Sequence, residues 1–251
     1  MPAPILYCGD TNLDGAASYL AGLMTHFGWA FDYVPSHVPM TLERLERPHS
    51  LLILSDFPAT QFDDELQEIA LKQVESGMGL LMIGGWESFR GLGGDWDVTP
   101  LARALPVEIG RDDDRVNFDQ PALLWTDTRS PILHGLPWDE RPPTVGGMNK
   151  VNIKDGGEML LRCTPFHVTM GHYGEFSFAQ QDYLPMLVVG EFKTSRTAAF
   201  MSDVAPHWVG GFVDWGPERV KAQAAGASAI EVGSYYAQFW KQLLSWVGRL
   251  E

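Results

Sequence analysis

GLLMIGGWESFRGLGG, Gly79–Gly94, passes from an apolar run, Gly79 to Ile83, into a loop that holds five glycines around Trp86-Glu87-Ser88-Phe89-Arg90. A short apolar run of this kind reads as a buried strand, and glycines at its end let the chain turn sharply. Working back toward the N-terminus, Phe62, Leu66, Ile69, Ala70 and Val74 recur at helical spacing and Gly77 closes that helix. Before it, Leu51 to Leu54 is a third strand ending in Ser55-Asp56, Trp29 to Val34 a second, and Ile5 to Cys8 a first that empties into Gly9-Asp10-Thr11-Asn12. Between the first two strands, Leu13, Ala16, Ala17, Leu20, Leu23, Met24 and Phe27 mark a helix closed by Gly28.

Continuous apolar strands separated by helices predict a parallel sheet covered on both faces. Right-handed crossovers then predict a doubly wound, mostly parallel α/β fold with helices on both faces. Ligands of such sheets bind at the carboxyl ends of the strands, so Gly9 to Asn12, Ser55 to Pro58 and Gly84 to Phe89 are expected to converge. Asp95 to Tyr183 is less regular and reads as loops, short helices and a few extra strands. Met186 to Phe192 and Thr197 to Ser202 flank Lys193-Thr194-Ser195-Arg196 as an added β-hairpin, with Ser202-Asp203 and Pro206-His207-Trp208 at its far end. A last helix presents Tyr236, Phe239, Trp240, Leu243, Leu244 and Val247 on one face. No linker divides residues 1–251, so one domain is expected.

The chain has 251 residues and a net charge of -14, from 32 acidic and 18 basic side chains. That balance repels phosphate backbones, so no nucleic-acid partner is expected. No stretch has the length and apolarity of a membrane span and the N-terminus lacks a basic signal region, so a soluble cytoplasmic protein is expected. Its two cysteines, Cys8 and Cys163, suggest neither a disulfide framework nor a zinc site. His167 and His172 lie five apart, a spacing that suits neither a helix face nor a strand face, and no metal or other cofactor is expected. Asp112-Asp113-Asp114 reads as a solvated loop. The tryptophans at 86, 96, 125, 138, 208 and 215 suit core packing, an aromatic ligand pocket or a subunit interface.

The glycine loop matches none of three familiar site loops. A phosphate loop needs Gly-Lys-Ser/Thr, and no lysine is present. A dinucleotide fingerprint after Gly91 and Gly93 needs glycine where Trp96 stands, and a hydrolase elbow around Ser88 needs glycines where Trp86 and Arg90 stand. There remain two readings. Gly84 and Gly85 open the backbone to a ligand beside Trp86, Glu87 and Ser88, or they only make a turn. Asp10, Asp56 and Asp203 each follow a strand, where they could bind a divalent cation, orient a sugar hydroxyl or do acid/base chemistry, or, for Asp10 and Asp56, cap a helix. His207 is the histidine placed to act with them.

Leu54-Ser55-Asp56-Phe57, Ile83-Gly84-Gly85-Trp86-Glu87-Ser88-Phe89, Thr99-Pro100-Leu101 with Leu105-Pro106-Val107, and Ser202-Asp203 with Pro206-His207-Trp208 resemble the class I glutamine amidotransferase-like superfamily, in its group labelled "putative glutamine amidotransferase". The resemblance implies the flavodoxin-like fold across nearly the whole chain and a site at these strand ends. True amidotransferases carry a cysteine after the strand that here is Gly79 to Ile83, whereas this chain has Gly84-Gly85-Trp86. Their downstream His-x-Glu pair has no counterpart, His207 being nearest. Ordinary glutaminase activity is therefore not expected. Two functions remain open. One is an enzyme using Asp10, Glu87, Ser88, Asp203 and His207 on a small polar metabolite, a sugar derivative or an amide, with Ser55, Asp56, Gly84, Gly85, Trp86 and Trp208 binding it. The other is a catalytically silent module that binds a ligand or subunit. A homo-oligomer is expected in either case.

Overall fold

A computed structural model describes residues 3–250. β1 (Ile5–Gly9), β3 (Leu51–Ser55) and β4 (Gly79–Ile83) are buried at every position, as strands covered on both faces must be. β2 (Phe31–Val34) starts later than its apolar run because the Trp29 amide donates to Met24 O and closes the turn after α1 (Ala17–His26). α1 also starts later than Leu13, because Asp10 and Thr11 adopt left-handed backbone and residues 12–15 form a turn. α2 (Leu42–Leu45) is a single turn, and α3 (Asp64–Glu75) is capped by Asp63, whose carboxylate accepts the Leu66 amide.

The middle of the chain carries seven strands, more than its irregular sequence indicates. β5 (Val107–Ile109), β6 (Arg115–Trp125), β7 (Thr144–Asn149), β8 (Val151–Ile153), β9 (Glu158–Thr164), β10 (Phe166–Met170) and β11 (Phe176–Gln180) lie there. β6 hides its period-two signal behind Pro121 and a register shift between Asn117 and Ala122. β12 (Leu184–Phe192) and β13 (Ser195–Phe200) form the expected hairpin. The chain then runs through α4 (Pro206–Val209), β14 (Arg219–Ala222), β15 (Ile230–Gly233) and α5 (Ser234–Gly248).

Nine strands make one sheet in the order β2-β1-β3-β4-β13-β12-β9-β6-β7. The four pairings from β2 to β13 are parallel and the four from β13 to β7 are antiparallel. The hairpin expected as an addition is therefore the seam of the sheet. β13 pairs parallel with β4 on one side and antiparallel with β12 on the other. The chain leaves β1 toward β2 and returns past it to β3, so the sheet reverses direction between β1 and β3, where a crevice opens. The same reversal, with right-handed crossovers, puts α1 and α3 on opposite faces. α5 packs on the side of α1, against β4 and β13, where Phe239 and Trp240 meet Phe200 at centroid distances of 5.6 and 5.3 Å.

Candidate functional site

The crevice begins where β1 and β3 end. Gly9 has φ +133°, and a Cβ there would lie 1.4 Å from Ser55 O, so only glycine lets the two strand ends approach. The Asp10 amide then donates to Ser55 O at 2.8 Å. Asp10 and Asp56 both have positive φ, 51° and 43°, a conformation a non-glycine residue adopts at some energetic cost. Neither caps a helix. The N-cap of α1 is Ala16 and that of α3 is Asp63.

Asp10 is buried beside Tyr7, whose hydroxyl donates to its Oδ2, while Oδ1 has no hydrogen-bond partner. Burial, followed by the charges of Asp203 and Asp56, raises its pKa well above the usual carboxylate range. Ser55 Oγ is also buried and makes no bond of good geometry, although it lies close enough to Asp10 to moderate that rise. Asp203 follows β13, and its Oδ1 accepts the Val204 and Ala205 amides at 2.5 and 3.0 Å. Burial, then the charge of Asp56, pushes its pKa up to about 7. Asp56 is held at about 6, raised by burial and drawn back by the Glu87 amide and by His207. Asp10 thus feels the charges of Asp203 and Asp56, and Asp203 that of Asp56, and each such negative charge raises its neighbour's pKa by less than burial does.

The glycine turn closes on this cluster. A Cβ on Gly84 would lie 2.2 Å from Met201 O, and one on Gly85 would lie 2.2 Å from Asp56 Oδ1. The space opened by the glycine pair is therefore filled by the protein itself. Asp56 Oδ1 accepts the Glu87 amide at 2.7 Å, and the Asp56 amide donates to Ser88 Oγ at 2.9 Å. The Gly85 amide donates to Asn149 Oδ1 at 3.0 Å. Asn149 Nδ2 donates in turn to Gly85 O and to Asp114 Oδ1, at 3.2 and 2.7 Å. Asp114 accepts the Arg90 and Gly91 amides, both at 3.0 Å. The expectation of a solvated Asp112–Asp114 run is corrected at its last residue: Asp112 and Asp113 are exposed, but Asp114 is buried and pins the turn. Asp114 and Asn149 escaped the sequence reading because nothing local distinguishes them from loop residues.

The remaining residues fall on the rim or beneath it. Trp86 is 53% exposed, with the Arg115 guanidinium 4.5 Å from its ring centroid. Glu87 is half-buried and its pKa is raised by burial. His207 is exposed on α4. Trp208 is buried, its Nε1 donating to Asn117 Oδ1 at 2.8 Å and its ring lying against Gly147, where a Cβ would come within 2.5 Å. Its indole thus holds α4 on the antiparallel half of the sheet and does not line the rim. Cys8 and Cys163 are fully buried, and burial pushes both thiols up, Cys163 to about 12. His167 and His172 lie on β10 and the turn after it, both exposed. Among the described residues no group of three or more His, Cys, Asp or Glu side chains is arranged to hold a metal ion. Beside the site, a cleft of about 840 Å³ lies between β6 and the β10–β11 pair, with Asn117, Lys150, His167 and Asp182 in its walls.

Residues 9–249 match the model of a protein family described as "Putative glutamine amidotransferase". Among curated proteins no match was found. The chain is similar in structure to Cytoplasmic Protein STM3548 from Salmonella typhimurium, with 23% identity, a TM-score of 0.73, and coverage of 97% of this chain and 98% of that one. It is similarly related to Cytoplasmic Protein STM1381 from Salmonella typhimurium LT2, with 24% identity, a TM-score of 0.72, and coverage of 97% and 99%. A β-galactosidase from Rahnella sp. R3 shares the fold at 10% identity and a TM-score of 0.53, over 98% of this chain and 31% of that one. No helix among the described residues is long and apolar enough to cross a membrane.

Proposed function

The chain belongs to the glutamine amidotransferase-like family, and we propose that it is a member without thiolate glutaminase chemistry, acting on a small polar metabolite by acid/base chemistry at Asp10, Asp56 and Asp203. One observation carries this reading. The ends of β1, β3 and β13 bring three carboxylates into one buried cluster in which burial raises every pKa, that of Asp56 to about 6 and that of Asp203 to about 7. At pH 7 Asp56, at about 6, is mostly ionised and can take a proton, while Asp203, at about 7, still holds one half of the time and can give it back. Glu87 and His207 stand at the rim, where they would orient polar groups of a sugar derivative or an amide. The parallel strands, in the order β2-β1-β3-β4-β13, follow the sequence of a flavodoxin-like sheet, which supports placing the ligand at this switch point.

Glutaminase chemistry lacks two parts. No cysteine stands in the turn that leaves β4, and the turn amides that could hold an oxyanion, those of Gly85, Glu87, Arg90 and Gly91, already donate to Asn149, Asp56 and Asp114. These occupied amides also favour the second reading, a catalytically silent module that binds a ligand through Trp86 and His207. A panel of sugar phosphates, sugar acids and amides separates the two. The acid/base reading expects turnover of one panel member that falls by about 100-fold or more in Asp56→Asn and Asp203→Asn. A ligand that raises the melting temperature without turning over, and loses that effect in His207→Ala, would assign the chain to the silent class. A cytoplasmic location and a single functional unit over the whole chain are part of the same proposal.

A further inference from the structure

Residues 166–180 form a two-stranded ribbon, β10 and β11, that stands outside the nine-stranded sheet. Its base is closed by the Gln181 amide donating to Pro165 O, and β10 packs on β6 there. The register pairs Met170 with Phe176 and Val168 with Phe178. Directly opposed residues share a face, as do residues two apart, so Phe166, Val168, Met170, Phe176 and Phe178 lie on one face with Gln180 at its base. The opposite face carries His167, Thr169, Ser177 and Ala179. This is the pattern of a ribbon with one side meant to be covered, yet beyond the half-buried Phe166 and Val168 at its base that side is open. Met170 is 68% exposed, Phe176 61%, Phe178 65%, and Tyr173 at the tip 92%. An isolated two-stranded ribbon is marginal in water, and an apolar patch of several hundred square ångströms is uncommon on a surface without a partner.

We propose that this face docks on the same face of a second copy of the chain, giving a dimer with two-fold symmetry. Charge favours that occupant. The chain carries a net charge of -14, but residues 166–180 contain one carboxylate, Glu175, and no lysine or arginine. Two copies therefore meet here with less repulsion than across the acidic remainder of the surface. Symmetry allows it as well, because a two-fold axis sets the same surface patch of each copy against itself. Area is sufficient. With side chains of this size offering about 200 Å² each, the four exposed residues present roughly 500 Å² per copy. Two copies would bury about 1,000 Å² before any flanking contact, which reaches the lower limit for a specific interface.

The test is sedimentation of the whole chain at micromolar concentration, alongside the double variant Phe176→Ser, Phe178→Ser. The wild type is expected at twice the chain mass and the variant at the chain mass, with unchanged circular dichroism and melting. Either a wild-type monomer or a variant that remains dimeric overturns the proposal. A second measurement does not depend on how the double variant folds. Met170→Cys, on the apolar face, is expected to cross-link two chains under mild oxidation, while Thr169→Cys, on the polar face, is not. Equal cross-linking from both positions overturns the arrangement. So does a wild-type monomer that floats with phosphatidylcholine vesicles and stops doing so in the double variant, an outcome that assigns the face to a lipid surface.

Discussion

The two halves of the central sheet contribute different things to the same site. The parallel half, β2 to β13, supplies the carboxylates Asp10, Asp56 and Asp203 and the glycine turn. The antiparallel half supplies the groups that fix the turn, Asp114 just before β6 and Asn149 at the end of β7. The three carboxylates sit at strand ends because parallel strands deliver their ends to one edge. Their support comes from outside, because the turn after β4 exposes amides that its own strands cannot satisfy. The difference teaches that this strand-end cluster is built from two sets of residues, one titratable and one structural.

Substitutions can break that division, beginning with the parallel half. Gly9→Val places a Cβ on Ser55 O and forces a left-handed φ on a β-branched residue, so this variant is expected not to fold. A soluble variant with a native-like melting transition would refute the claim that β1 and β3 must touch there.

The next largest effect lies in the antiparallel half. Asn149→Ala strips a partner from the Gly85 amide and from buried Asp114 at once. A loss of about 2–4 kcal/mol is expected by urea unfolding, with ligand binding at the rim weakened because the turn is no longer held. If the loss were below about 0.5 kcal/mol, the turn would be fixed by the parallel half alone.

Asp203→Asn sharpens the titratable side. Because the native pKa, at about 7, lies above the ordinary value near 4, the folded state binds this proton more tightly than the unfolded chain. The stabilising contribution is complete below about pH 4 and is lost as pH rises through 7. Asparagine keeps the neutral form and can still accept the Val204 and Ala205 amides. The variant is therefore expected to match the wild type near the acid end and to exceed it in stability by about 1–3 kcal/mol at pH 8. Parallel pH–melting curves for the two proteins would show that Asp203 is not raised.

The smallest effect is expected at the rim. Trp86→Ala removes an exposed ring and its contact with Arg115, worth about 0.5–1 kcal/mol. Its effect on ligand affinity should exceed its effect on stability, and calorimetry of ligand binding beside thermal unfolding measures both.

The parallel half was largely legible in the sequence. Gly79–Ile83 was read to the residue, because a continuous apolar run ending in glycines has few other interpretations. The antiparallel half was not, since β6 is interrupted by Pro121 and by a register shift, and β10 and β11 have mixed or open faces. Asp10, Asp56, Gly84, Gly85 and Asp203 were expected just past strand ends, and the structure places them there. Trp208 was placed in the right segment, but its indole faces Asn117 and Gly147.

The sequence by itself determined which segments are buried on both faces, where those strands end, and that no cysteine stands in the turn that leaves β4, because each is a property of neighbouring residues. Tertiary structure alone decided what those ends do to one another. Burial and mutual repulsion of three carboxylates set their pKa values, and the amides of the glycine turn are spent on Asp56, Asn149 and Asp114. Gly85 and Asn149 are 64 positions apart in the chain. No local pattern encodes such a contact, since it arises only when the sheet places β7 and the turn after β4 at the same edge.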